Sequence, residues 1–450
     1  STQIHSVEDL HLFARPAWEF VADRSYYTGE DEIRFRLRRN HRSETPTRAR
    51  VELRRGDEVV DRTDLVSMGQ EAEGAFVAGA LVEGRYQLRA WLESGESLEL
   101  GVDEFAPAQR ELKIDRFTQS LLVDGEPFFP IGLYWLRAEI LGEMRRLDFN
   151  TGDYYYKLQG EEIAALMDAA AVEGMQILLE LSEYARQQPE PDWAAIEAVV
   201  ERYREHPALL AWYLVDEPAE TSLEPQVLRA MYELIRGLDP YHPVYLVNNR
   251  PHTYSAYGVA SDILAIDVYP IPRYPITRVR NYMQQARGAS LGRKPVWLVA
   301  QAFGGVEHWP RAPTAVELRN MVYQGLVQGA RGILFYRYCQ EDERHIQSAA
   351  LWRAVRELAA ELKELVPVLV RPEYGAGPRG TGTGVEISLR EYEGDFYLFA
   401  VNVDTGSRRL VWRLDELPPI GRSQVLHGTA ELSLRNGRIE AELDPLGTAV

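Results

Sequence analysis

The sequence predicts a (β/α)8 barrel flanked by N-terminal and C-terminal β-sandwich domains. Three observations predict it. Polar and apolar residues alternate by twos through the first 110 residues. From Glu111 onward, apolar strands of 5–8 residues alternate with amphipathic helices. After Pro372 the alternation by twos returns. The expected division is 1–110 for an immunoglobulin-like sandwich, 111–368 for the barrel and 369–450 for a second sandwich.

Each element has its own signal. Ile33–Arg39 (IRFRLRR), Arg48–Arg55 (RARVELRR) and Gly84–Leu92 (GRYQLRAWL) are two-faced strands, and turn-like stretches such as RRGDE and SGES separate such strands. FAPAQR, Phe105 to Arg110, is the expected linker. The barrel strands are FFPIGLYW, FNTGDYYY, QILLELS, LLAWYLVDEP, PVYLVNN, ILAIDVYP, PVWLVAQAF and GILFYRY. Helical stretches such as EEIAALMDAAAVEGM and TAVELRNMVYQGLVQGA fill the gaps. Eight βα units fit a closed barrel. An open doubly wound sheet usually carries a glycine-rich phosphate turn after its first strand, and none follows FFPIGLYW. Near the C-terminus VEISLREY, DFYLFAVNV and RRLVWRL alternate again.

Composition narrows the function. A net charge of −18 disfavours nucleic acid, whose phosphates need a basic patch. No apolar run is long enough to span a membrane. The single cysteine, Cys339, excludes an intrachain disulfide and a cysteine-rich zinc site. His252, His308 and His345, with Glu341 or Asp342, match no ligand spacing, so no metal or other cofactor is expected. No G-x-S-x-G elbow is present.

Active sites of such barrels form where the strands exit at their C-terminal ends. The exits carry Tyr134 and Trp135; Asp153, Tyr154, Tyr155 and Tyr156; Glu180 and Glu183; Asp216 and Glu217; and Asn248, Asn249, Arg250 and His252. The remaining exits carry Asp267 and Tyr269; Gln301, Phe303, His308 and Trp309; and Tyr336, Arg337 and Tyr338. A single rim aromatic or acid is ordinary. Aromatics interleaved with carboxylates and amides at every exit suit a sugar, whose apolar face stacks on rings and whose hydroxyls need polar partners.

The motif order resembles glycoside hydrolase clan A, the retaining β-glycosidases built on barrels. The matching stretches are DGEPFFPIGLYW, RRLDFNT, HPALLAWYLVDEP, PVWLVAQAFGG and ELRNMVYQGLVQGARGILFYRY. The resemblance covers about residues 115–365. It implies hydrolysis of a β-linked oligosaccharide or polysaccharide, with Glu217 of Asp216-Glu217-Pro218 as general acid/base. The neighbouring Asp216 would raise the pKa of Glu217 by like-charge repulsion, or else cap the following helix. Tyr134, Trp135, Tyr154, Asn249, Asp267, Tyr269, Phe303, His308, Trp309 and Tyr336 would line the sugar subsites. The substrate class places the protein outside the cytoplasm, secreted or periplasmic. The β domains would bind polysaccharide, brace the barrel or assemble a homo-oligomer.

The clan's nucleophile is a glutamate at the seventh strand's end, and this chain has Gln301 there. Four readings stand. Gln301 replaces an original glutamate; or a substrate acetamido group is the nucleophile, oriented by Asp216 and helped by Tyr269. Alternatively Asp267 is the base of an inverting mechanism, which needs carboxyls ~6.5–9.5 Å apart. In the fourth reading the chain binds glycans without cleaving them.

Overall fold

The computed structural model describes residues 16–40, 47–67, 70–79, 81–154, 158–187, 190–221, 223–306, 308–338, 348–375, 379–380, 384–413, 417–418, 422–428, 430–435 and 438–450. The chain divides into two compact units. The first comprises Ser1–Pro127 with Leu291–Lys294, and the second holds Phe128–Ser290 and Pro295–Val450. The C-terminal β region therefore shares a unit with the barrel.

In the first unit, strands Trp18–Ala22, Glu32–Arg39 and Glu71–Val77 form one antiparallel sheet. Glu58–Ser67, Thr47–Arg55, Gly84–Leu92 and Ser97–Glu104 form a second, in that spatial order. Alternation decides which face is buried. In Glu32–Arg39 the side chains of Ile33, Phe35 and Leu37 turn inward. Phe35 stacks on Phe76 at 5.2 Å and meets Phe20 edge-on at 5.9 Å.

The second unit is built on a closed parallel barrel. Its strands are β1 (Ile131–Leu136), β2 (Thr151–Tyr154), β3 (Gln176–Glu180), β4 (Leu209–Asp216), β5 (Val244–Val247), β6 (Ile263–Val268), β7 (Val296–Gln301) and β8 (Ile333–Tyr336). The strands are apolar on both faces because one face packs on helices and the other fills the barrel. Trp297, Tyr245, Tyr213 and Tyr134 make an aromatic column, linked by ring contacts of 5.3, 4.9 and 6.3 Å. All four are at least 96% buried, with relative exposures of 0%, 0%, 1% and 4%. Gly332 is required beside this column, since a Cβ there would lie 2.9 Å from the Trp297 ring.

Helices close the crossovers where their caps allow. Thr314 starts Ala315–Val327 with a capping box: its hydroxyl accepts the Glu317 N–H at 3.2 Å, and Glu317 accepts the Thr314 N–H at 2.8 Å. Glu161–Glu173 ends at Gly174 with φ 67°, a left-handed stop. The crossover from β5 to β6 holds only the short helix Tyr254–Gly258 beyond a single turn. No helix among the described residues is long and apolar enough to cross a membrane.

The C-terminal region is a sheet of Arg379–Gly380, Val385–Tyr392, Asp395–Asn402 and Thr448–Ala449 facing a sheet of Arg408–Arg413, Arg438–Leu443 and Glu431–Arg435. Buried polar contacts join it to the barrel. The Asn320 amide donates to the carbonyls of Asn402 at 2.8 Å and Leu446 at 2.9 Å. Arg390, fully buried, donates to the carbonyls of Leu369 at 2.6 Å and Arg371 at 3.0 Å. Arg331 from the barrel donates to the same two carbonyls at 2.8 and 2.9 Å. Burial lowers the Arg390 guanidinium to about 10, and Glu373 opposes that shift. Removing this cation leaves buried carbonyls under-satisfied and a gap beside Phe399. Arg390→Ala should therefore destabilise this unit by about 3 kcal/mol, measured as a fall in the urea midpoint with an unchanged slope. An unchanged midpoint would mean that Arg331 holds the joint alone.

Candidate active site

The barrel brings the strand exits together at one end, and two chemically different halves face each other there. One half is acidic. Asp153 is the last but one residue of β2, Glu180 ends β3, Asp216 ends β4, Glu217 follows it, and Asp267 lies near the end of β6. Asp153 and Asp267 are buried at 1% and 4% exposure, while Glu180, Asp216 and Glu217 are half-buried.

The acids are tied to their strands by specific bonds. The Tyr213 hydroxyl donates to Asp216 Oδ1 at 2.6 Å. These residues are three apart in one strand, where alternation alone would set them on opposite faces. A register shift against β5 falls between them and re-aims the chain. Ser182 Oγ accepts the Asp216 N–H at 2.9 Å, and Arg186 donates to the Asp216 carbonyl. Tyr154 donates to the Glu180 carbonyl at 2.9 Å. Glu217 sits in the left-handed region with φ 41°, unusual for a glutamate, and its N–H reaches the Val247 carbonyl at 3.2 Å. The Asp216 side chain caps no helix, because the next long helix begins only at Pro225.

Not all of these carboxyls can be ionised together. Burial pushes Asp153 well above the usual carboxylate range, and the charges of Glu180 and Asp216 add to the shift. Burial also raises Glu180, against the Ser182 hydroxyl and the Arg186 charge. Asp216 is pushed up to about 7 by burial, then by Glu180 and Glu217. Burial pushes Asp267 well above the usual carboxylate range, and the neighbouring Glu217 and Asp216 add to the shift. Asp267 Oδ1 and Asp153 Oδ1 have no hydrogen-bond partner, as befits neutral acids.

The other half is aromatic. Tyr269 and Tyr336 stack at 5.6 Å with 21° between their planes. Phe303 meets Tyr269, Tyr336 and Trp309 edge-on at 5.0, 5.3 and 5.2 Å. Trp309 donates its indole N–H to the Tyr269 carbonyl at 3.1 Å. Trp135, with φ 71°, extends the wall against Tyr336 at 5.4 Å, and the Arg337 guanidinium covers its ring at 4.1 Å. His308 is exposed beside Trp309, 6.0 Å between ring centres. The loop after β7 folds tightly because Gly304 passes the Arg311–Ala312 backbone, where a Cβ would lie 2.1 Å from the Ala312 nitrogen.

Several expected site residues are placed differently. Tyr134 is buried below the mouth and its hydroxyl pairs with Tyr245 at 2.9 Å, so it supports the site from beneath. Tyr154 is buried and its hydroxyl is bound to the Glu180 carbonyl. Asn249 donates to Glu220 at 3.0 Å, with its carbonyl oxygen unpartnered. Gln301 shows no exposed surface. Its oxygen accepts the Ile271 N–H at 2.9 Å, and its NH2 donates to the carbonyls of Ile271 at 2.8 Å and Phe303 at 3.3 Å. It stands at the end of β7, as strand counting expects, but its polar atoms face backbone rather than the opening. Tyr155, Tyr156, Cys339, Glu341, Asp342 and His345 lie outside the described residues. Among the described residues, no three His, Cys, Asp or Glu side chains gather as metal ligands.

Residues 153–285 match the family model described as glycosyl hydrolases family 2, TIM barrel domain. That segment carries all five acids, and it lies within the closed eight-strand barrel. A Bacteroides vulgatus protein described as a candidate glycoside hydrolase shares the fold, with a TM-score of 0.53 and 10% identity over 93% of this chain and 98% of that one. A family 2 β-galacturonidase from Eisenbergiella tayi aligns with a TM-score of 0.44 and 16% identity, over 76% of this chain and 71% of that one. A family 39 glycoside hydrolase from Bacteroides cellulosilyticus aligns with a TM-score of 0.46 and 11% identity, over 92% and 96% of the two chains. No curated protein sequence matches the chain.

The acidic half generates a pH prediction. Asp216 is raised in the folded state, so its stabilising effect is complete below its unfolded value of ~3.9 and is lost as pH rises through about 7. Asp216→Asn should therefore gain on wild type across that window, its Tm advantage growing by about 2 °C or more between pH 4 and pH 7.5. A difference independent of pH would place the raised acid elsewhere in the arc.

Proposed function

We propose that the chain hydrolyses β-linked glycans, with Glu217 as general acid/base and with the nucleophile located away from position 301. The arc of carboxyl groups at the strand exits, with Glu217 directly after β4, beside an aromatic wall carries this reading. A general acid must hold a proton near neutral pH and stand where the leaving oxygen will be. The wall offers flat faces on which a sugar ring can stack beside that acid. Glu217 then protonates the glycosidic oxygen and, in the reverse sense, takes a proton from the attacking water. No metal or organic cofactor enters this chemistry.

The nucleophile reading follows from Gln301. Its amide is used on backbone partners, and an amide carries no charge to stabilise an oxocarbenium ion. Asp216 lies next to Glu217 with one oxygen held by Tyr213. This arrangement favours a substrate that brings its own nucleophile. A 2-acetamido group whose N–H donates to Asp216 would be turned with its carbonyl oxygen toward the anomeric carbon. Polymeric glycans are degraded outside the cytoplasm, and secretion or a periplasmic location is part of the same proposal.

A panel of aryl β-glycosides, including an N-acetylglucosaminide, tests this. Wild type should turn over at least one member. Glu217→Gln should lower kcat/KM by about 10²–10⁴-fold, and by less on aryl leaving groups that need no protonation. Asp216→Asn should impair the acetamido substrate selectively. Glycan binding without turnover of any member by wild type would replace hydrolysis by a binding role.

A further inference from the structure

We infer that Gln301 is a positioning residue that sets the aromatic wall, an inference resting on the glycosidase reading of the same site. The residue has no surface, and its amide joins two loops. Through the N–H and C=O of Ile271 it holds the segment after β6, two residues beyond Tyr269. Through the Phe303 carbonyl it holds the start of the loop after β7. Trp309, further along that loop, bonds back to the Tyr269 carbonyl at 3.1 Å. The two loops are thus tied twice, once below the wall by Gln301 and once at its rim by Trp309. The ring contacts of Phe303 with Tyr269 and Trp309 lie between these ties.

Hydrogen-bond chemistry makes an amide the right group here. The site supplies one N–H and two carbonyls, so it needs one acceptor and a donor. Glutamine supplies both at every pH. An ionised glutamate would turn an acceptor toward the Ile271 and Phe303 carbonyls, and both would be left without a donor. A protonated glutamic acid would restore the pair with Ile271, its O–H donating to the carbonyl and its C=O accepting the N–H. Gln301→Glu therefore distinguishes a positioning amide from a vacant nucleophile position by the sign of its pH dependence.

The test follows kcat and KM of wild type, Gln301→Glu and Gln301→Met from pH 4.5 to 8.5 on a substrate that wild type turns over, each variant expressed relative to wild type. Gln301→Glu should stay near wild type at the acid end and fall by about 10-fold or more as its carboxyl ionises, with KM rising more than kcat falls. Gln301→Met should be impaired at every pH. If Gln301→Met does not fold, the sign for Gln301→Glu still decides. Relative activity of Gln301→Glu that rises as the carboxyl ionises, or a covalent glycosyl-enzyme trapped with a 2-deoxy-2-fluoro-glycoside, would overturn the inference. So would two variants that match wild type throughout. If wild type proves inert, the hydrolytic reading fails by itself. Glycan affinity measured by calorimetry over the same pH series then decides the inference, with the same sign expected.

Discussion

Carboxyl groups crowded and buried together cannot all be charged, and the mouth of this barrel is organised around that constraint. Glu217 and Asp267 stand at the exits of β4 and β6, the two strands that flank β5. Behind them Asp216, Glu180 and Asp153 continue the acidic arc, each buried enough to resist ionisation. A cluster of this kind would repel itself apart on an open surface. Here the strands fix the backbone, and Tyr213, Ser182 and Arg186 bond to the acids or their main chain. The outcome is a set of groups able to hold or release protons near neutral pH, which is what general acid–base chemistry requires.

The aromatic half answers a different need. A sugar offers apolar C–H faces as well as hydroxyls, and flat rings bind the former without competing for the latter. Tyr269, Phe303, Trp309 and Tyr336 come from three strand exits, so their common surface depends on loops being held in register. Backbone bonds from Gln301 and Trp309, with the close passage at Gly304, supply that restraint. Strain sits at Trp135 and Glu217, where side chains adopt positive φ at the mouth itself. The cost is tolerable because the barrel beneath, packed through Trp297, Tyr245 and Tyr213, is rigid.

Much of this was legible in the sequence for simple reasons. Apolar runs of strand length alternating with amphipathic helices allow few folds, and with no glycine-rich turn after the first strand a closed barrel fits eight such strands better than an open doubly wound sheet. Once the barrel is expected, strand ends become site positions, and Asp216, Glu217, Asp267, Tyr269, Phe303 and Tyr336 follow by counting. Tyr213 did not follow. Period-two reasoning puts it on the face opposite Asp216, and the bulge that overrides this leaves no trace in composition. The burial of Tyr134 and Tyr154 was not legible either, since an aromatic residue at a strand end points either into the opening or beneath it.

The sequence by itself determined the architecture and the inventory of acids and rings at one end of the barrel. Periodicity and residue type are local properties, and they suffice for both. Tertiary structure alone decided which acids are buried and which glutamine atoms face backbone. It also decided that the C-terminal sheets join the barrel through Arg390, Arg331 and Asn320 rather than standing apart. These are matters of distance between residues far apart in the chain. Burial and proximity, which set whether a carboxyl is charged and whether an amide is free to react, exist only after the chain has closed.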